Sequence, residues 1–184
     1  MNTKIIGRKL ETNKLQELYK SNKPEFVAVY GRRRVGKTFL VREVLEKEFV
    51  FDLAGLAKGS LNEQLMNFHF TLKRLSDNEF SVPKSWLEAF EQLIVLLQNS
   101  TKKRKVVFID EISWLDTHKS GFLTALEHFW NGWACSKRDI MLIVCGSATS
   151  WIVKILSIIT ADCTTELLPQ LNFYLLPYTK LNCF

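Results

Sequence analysis

The chain has 184 residues, with 47% hydrophobic and 24% charged side chains and a formal net charge of +6. That length holds one domain with a substantial core, and the composition is that of an ordinary globular protein rather than a disordered or fibrous one. The moderate positive charge gives only a weak argument for nucleic acid, and a solvated basic face accounts for it better than a dedicated DNA groove. Four cysteines, Cys135, Cys145, Cys163 and Cys183, form no C-x-x-C pair and no His/Cys cluster. This spacing argues against zinc or a disulfide framework and fits a reducing compartment. The start of the chain lacks the apolar core of a signal peptide, and no apolar run approaches the roughly 20 residues that span a bilayer. A cytoplasmic protein without membrane attachment is expected.

Helical spacing of Leu10, Leu15, Leu18 and Tyr19 predicts a first helix. Ser21-Asn22-Lys23-Pro24 breaks it before a strand over 25–30. The strand runs into Gly31-Arg32-Arg33-Arg34-Val35-Gly36-Lys37-Thr38, of the form G-x-x-x-x-G-K-T, followed by Phe39-Leu40-Val41-Arg42 on a helix. Strand, glycine loop and helix are what a phosphate cradle needs. Loop N–H groups turn inward around the phosphates, and the helix N-terminus adds partial positive charge. Lys37 is expected to reach the β- and γ-phosphates and Thr38 to ligate Mg²⁺. The alternative is a chance glycine turn before a helix. Arg32, Arg33 and Arg34 fill the variable loop positions, where they can touch phosphates or point to solvent or a partner.

Further along, a second strand is predicted over 49–53 and a helix over 61–75 with Leu65, Phe68 and Leu72 on one side. Trp86, Phe90, Leu93, Ile94 and Leu97 form the apolar stripe of another helix. Val106-Val107-Phe108-Ile109 is a continuous apolar run typical of a central parallel strand, and it ends in Asp110-Glu111. Two acids at a strand's carboxyl end supply what the loop lacks. Asp110 is expected to hold Mg²⁺ with Thr38, and Glu111 to orient and deprotonate water. Either acid could instead be a helix cap or a solvated loop end.

A helix is predicted over 121–135, with Phe122, Leu126, Phe129, Trp130 and Trp133 inward, and a fourth strand over 140–145. That strand leads into Gly146-Ser147-Ala148-Thr149-Ser150-Trp151. Ser147 is the first choice for a polar contact to the γ-phosphate or the water, Thr149 the second; a hydroxyl-rich turn capping the next helix is the alternative. His69, His118 and His128 are scattered and read as structural. Alternating strands and helices predict an α/β fold with a parallel sheet.

Several of these segments together resemble one family. They are Gly7-Arg8 before a helix, the loop over 31–38, V-V-F-I-D-E-I-S-W over 106–114, Leu115-Asp116-Thr117 with Lys119-Ser120-Gly121-Phe122, Glu127-His128-Phe129-Trp130-Asn131, and the stretch over 144–151. The chain resembles prokaryotic AAA-type ATPases of the archaeal-ATPase group, near the signalling (STAND) branch of P-loop NTPases, over residues 5–154. The resemblance implies a three-layer fold with strand order 5-1-4-3-2, binding of ATP with Mg²⁺, and slow, switch-like hydrolysis to ADP and phosphate. The phosphate-binding set it implies is Gly31 to Phe39, with Ser147. Family members are about twice as long and continue into winged-helix and nuclease-like segments. Those segments motivate a DNA or protein partner, or a defence component, whose mark is salt-dependent DNA affinity.

After Lys154 the resemblance stops, which divides the chain into an ATPase domain over 1–154 and an atypical tail over 155–184. Permitted codons for the segments 161–168 and 173–182, read from the third base of their first codon, restore Gly-Leu-His-Asn-Arg-Val-Thr and Leu-Pro-Phe-Thr-Leu. Both are family-like and share one frame. A frameshifted tail on a truncated ATPase is the expectation, and a divergent genuine C-terminus the alternative; coding DNA incompatible with that offset would exclude the frameshift. Truncation would remove an arginine able to sense the γ-phosphate, leaving a nucleotide-binding module without hydrolysis as the second functional reading. The fifth strand would be lost or imitated by Leu171 to Leu176.

Overall fold

The structure, a computed structural model, describes residues 8–76, 79–147, 150, 151, 154, 155, 159, 174 and 175. Among the described residues the main helices and strands up to residue 146 are α1 (Lys9–Lys20), β1 (Glu25–Tyr30), α2 (Lys37–Leu45), β2 (Phe49–Ala54), α3 (Leu61–Leu75), α4 (Trp86–Asn99), β3 (Lys105–Asp110), α5 (Phe122–Gly132) and β4 (Ile140–Gly146). A two-residue β5, Tyr174–Leu175, lies parallel beside β1, with Val29 opposite Tyr174 and Tyr30 opposite Leu175. The sheet order is β2-β3-β4-β1-β5. The four long strands pair in parallel. Both the α/β class and the expected order 5-1-4-3-2 therefore hold, and part of the segment 171–176 takes the edge position.

Helices cover both faces of the sheet, so its strands carry few polar residues. β1 and β4 are buried along their whole length, as expected for a doubly covered parallel sheet. Alternation along each strand then fills two cores. Phe26, Ala28 and Tyr30 of β1 face α3, α4 and α5, whereas Val27 and Val29 join Leu15, Leu18, Leu40 and Val41 of α1 and α2. Aromatic rings dominate the larger core. Phe51 and Phe68 lie 5.0 Å apart between centroids, Trp86 meets Phe122 edge-on at 4.9 Å, and Phe90 stacks on Phe129 at 5.1 Å.

Local signals set the helix starts. Ser60 and Glu63 form a reciprocal capping box at α3, and Ser85 accepts from the Glu88 N–H at α4. Two helices depart from the spacing-based expectation. α5 ends at Gly132 and gives way to a 3-10 turn over Ala134–Ser136. α2 opens at Lys37, ahead of Phe39, and also ends in a 3-10 turn, Glu46–Glu48. Ile155 and Ile159, past the expected boundary at 154, are buried in the larger core at 1% and 3% exposure. Among the described residues no helix is long and apolar enough to cross a membrane.

The amino-terminal end of the sheet buries two ionisable side chains, Arg104 and Glu25. Arg104, pulled below its usual range mainly by burial, donates to the carbonyls of Arg138 and, at 3.3 Å, Leu18. Glu25 is only 4% exposed. Burial pushes its carboxyl above the usual range, against the opposing pull of Ser21, Arg104, Lys14 and Lys23. A carboxyl raised in the folded state binds more protons there than in the unfolded chain. Stability attributable to Glu25 therefore falls as pH rises from its ordinary value through its raised one. Glu25→Gln, which stays neutral, is expected to gain in stability relative to the natural protein between pH 4 and pH 7 in urea melts; a constant difference would contradict this.

Candidate functional site

Register brings three strand ends together. Tyr30 of β1 lies opposite Gly146 of β4, and Ile109 of β3 opposite Val144. The carboxyl ends of β1, β3 and β4 thus form one edge, and the loop over 31–36, Asp110-Glu111 and Ser147 all leave from it. Ligands of open α/β sheets sit at such an edge.

The loop after β1 closes on Gly36, whose φ of +75° is a left-handed value that glycine adopts without steric cost. Its carbonyl accepts the first helical bond, from Leu40 N–H at 3.0 Å, which starts α2 at Lys37. Lys37 is 6% exposed. Its ammonium folds back over the loop, donating to the carbonyls of Gly31 at 3.0 Å and Arg32 at 2.8 Å. Gly31 and Val35 are half-buried, while Arg32, Arg33, Arg34 and Phe39 are exposed. Arg8, at the start of α1, donates to the Val35 carbonyl and so braces the loop from outside.

Thr38 and Asp110 meet directly. The Thr38 hydroxyl donates to Asp110 Oδ2 at 2.8 Å, and the Glu111 N–H donates to Oδ1 at 2.9 Å. A hydroxyl oxygen beside a carboxylate is a hard-oxygen donor pair. It suits Mg²⁺, which takes one or two carboxylates and leaves its remaining positions to water and phosphate. The lysine over the loop suits polyphosphate in the same way. The residues present therefore fit ATP with Mg²⁺.

Glu111 takes a left-handed conformation, φ 45° and ψ 43°, at a position where L-residues other than Gly, Asn and Asp rarely rest. Its Oε2 is buried with no hydrogen-bond partner among the described residues. Ser147 accepts from Arg33 Nε at 3.4 Å, linking the loop to the end of β4. Thr149 lies outside the described residues. The three histidines are not at this edge's acid pair: His69 is on α3, His128 on α5 and His118 in an exposed turn.

Two neighbours were not singled out as site residues from the sequence. Cys145, opposite Val29 in the register, is pushed above the usual thiol range by burial and by the adjacent Asp110. Strand alternation, which sets Cys145 in the same core as Phe108, was the available signal. Trp151 donates from Nε1 to Asp116 Oδ2 at 2.9 Å, tying the chain after Ser147 to the turn after Glu111. Nothing in linear spacing signals that contact.

A phosphate-loop α/β ATPase domain is the class that this fold and edge define. Comparison with known families agrees: residues 5–161 match the family described as an ATPase domain predominantly from Archaea, and the chain belongs to it. The match runs past residue 154. A 44-residue stretch, 24% of this chain, is 42% identical to an uncharacterised ATP-binding protein of Methanocaldococcus jannaschii, covering 75% of that protein. Among solved structures, a Walker-type ATPase of Pyrococcus abyssi superposes with a TM-score of 0.59 at 22% identity, over 84% of this chain and 49% of that one. Cdc6p of Pyrobaculum aerophilum gives 0.58 at 14% identity, over 87% and 45%. The chain thus spans about half the length of each of these two structures, and at these identities they share the fold.

The strained turn makes its own prediction. Glu111→Gly relieves the left-handed backbone and removes the unpartnered buried oxygen, so the nucleotide-free protein is expected to gain about 1 kcal/mol of stability. Denaturant melts check this, and a loss of stability would show that the Glu111 side chain makes a net favourable contact.

Proposed function

We propose that this chain binds ATP with Mg²⁺ at the edge formed by β1, β3 and β4, and hydrolyses it to ADP and phosphate. The observation that carries the reading is the Thr38–Asp110 hydrogen bond at 2.8 Å, which joins residues 72 apart in sequence at the mouth of the glycine loop. Membership of an ATPase family supports the nucleotide.

In this reading the loop from Gly31 to Thr38 binds phosphate through its backbone N–H groups and the amino end of α2. Lys37 swings its ammonium from the loop's own carbonyls to phosphate oxygens, exchanging neutral acceptors for charged ones. Mg²⁺, held by Thr38 and Asp110, would neutralise phosphate charge when bound. Glu111 orients a water and takes its proton as the water oxygen attacks the γ-phosphorus. The bond to the bridging oxygen breaks with its electron pair passing to ADP. Ser147 is the polar contact for the γ-phosphate or the water, and Arg33 holds it until nucleotide arrives.

Nucleotide binding without turnover is the second reading; the stretch that is 42% identical is shared with a protein described only as ATP-binding. One set of measurements separates the two. The natural chain is expected to bind ATP in a Mg²⁺-dependent way and to turn it over, and Lys37→Ala to lose at least tenfold in affinity (roughly 1.4 kcal/mol). Glu111→Gln is expected to keep affinity while turnover falls about 10²- to 10⁴-fold. Binding with turnover no higher than that of Lys37→Ala would support the binding module, and turnover untouched by Glu111→Gln would refute Glu111 as the base.

A further inference from the structure

The turn that carries Glu111 is held by a side chain from a different part of the fold. Gln64, on the first turn of α3, is fully buried at 0% exposure. Its amide forms a reciprocal pair with one backbone residue: Leu56 N–H donates to Oε1 at 3.0 Å, and Nε2 donates to the Leu56 carbonyl at 2.7 Å. The second Nε2 proton goes to the Trp114 carbonyl at 3.1 Å. Trp114 N–H in turn donates to the Glu111 carbonyl at 2.9 Å. One amide therefore staples the β2–α3 connection to the 3-10 turn that follows the acid pair.

The connection also packs against the acids themselves. Gly55 N–H donates to the Asp110 carbonyl at 3.0 Å. A Cβ on Gly55 would stand 2.8 Å from the Glu111 carbonyl oxygen and 3.1 Å from Trp114 Cβ, so only glycine permits this approach. Glu111 sits between these contacts in its left-handed conformation, which persists only where the surroundings over-determine it. Ile112, the next residue, is fully buried and anchors the turn from the core side.

We infer that Gln64 is a positioning residue for Glu111: it fixes the strained turn, and so the direction of the carboxylate, without touching nucleotide. The inference rests on the proposed hydrolysis for its kinetic part and on the geometry alone for its structural part. A buried amide is suited to the task. Its donors and acceptor are all satisfied by backbone, so the staple is rigid and any apolar replacement leaves the Leu56 and Trp114 backbone groups unpaired.

Gln64→Met, which keeps length and packing while removing all three bonds, is the primary variant, and Gln64→Ala the second. In the nucleotide-free protein, amide hydrogen exchange over 111–115 is expected to speed up at least tenfold in Gln64→Met while β1 and β4 are unchanged. MgATP affinity should stay within about twofold, because Lys37, Thr38 and Asp110 are untouched. Turnover should fall about 10- to 100-fold in kcat with little change in KM, the scale of a misplaced reacting group. The same substitution in a Glu111→Gln background should cost nothing further, since Gln64 acts through that carboxylate. Unchanged exchange over 111–115 overturns the staple. An equal kcat loss with and without the Glu111 carboxylate, or no kcat loss in a chain whose turnover depends on Glu111, overturns the positioning role. A natural chain with no Glu111-dependent turnover refutes hydrolysis instead, and the exchange result then decides the staple by itself.

Discussion

Parallel pairing of β1 and β3 on either side of β4 is the constraint on which the rest depends. β4 has no acid, base or lysine of its own, yet its register decides how far the ends of its neighbours project. With Tyr30 opposite Gly146 and Ile109 opposite Val144, Asp110 comes level with Cys145 and Val29, one residue short of the end of β1. A slip of one position would turn Asp110 to the opposite face, away from Thr38. The fully buried side chains of β4 hold that register from both cores.

From this alignment follows a division of labour in energy. The cores are conventional and well packed, with large aromatic rings fully buried. The edge is not. It holds a left-handed glutamate, a carboxylate oxygen with no partner among the described residues, and a lysine that donates to its own loop. Such local costs persist because the packed elements beneath over-determine the backbone.

Much of this was legible in the sequence. Val106 to Ile109 reads as a central strand because four consecutive apolar residues can be buried only on two covered faces, and Asp110-Glu111 marks where that strand meets water. The glycine loop reads directly because backbone turning and helix start are local events. The inward faces of α3 and α4 follow from spacing, and Leu65, Phe68, Leu93 and Leu97 are all buried. What escaped is what depends on distant partners. Gln64 looks like any surface glutamine on an amphipathic helix, since nothing nearby in sequence reveals that Trp114 will present it a carbonyl. Gly55 reads as a loop glycine until Glu111 arrives beside it. Ile155 and Ile159, beyond the last of the recognisable motifs, are buried in the larger core.

The central claim is that Thr38 and Asp110 act as one unit in binding nucleotide with Mg²⁺. MgATP affinity measured for Thr38→Val, Asp110→Asn and the double variant, with and without Mg²⁺, tests it most directly. Each single change is expected to abolish most of the Mg²⁺-dependent gain in affinity, and the double variant to be little worse than either alone, a coupling well outside the roughly 0.3–0.5 kcal/mol scatter of independent sites. Additive losses, or affinity indifferent to Mg²⁺ in the natural chain, would contradict the account.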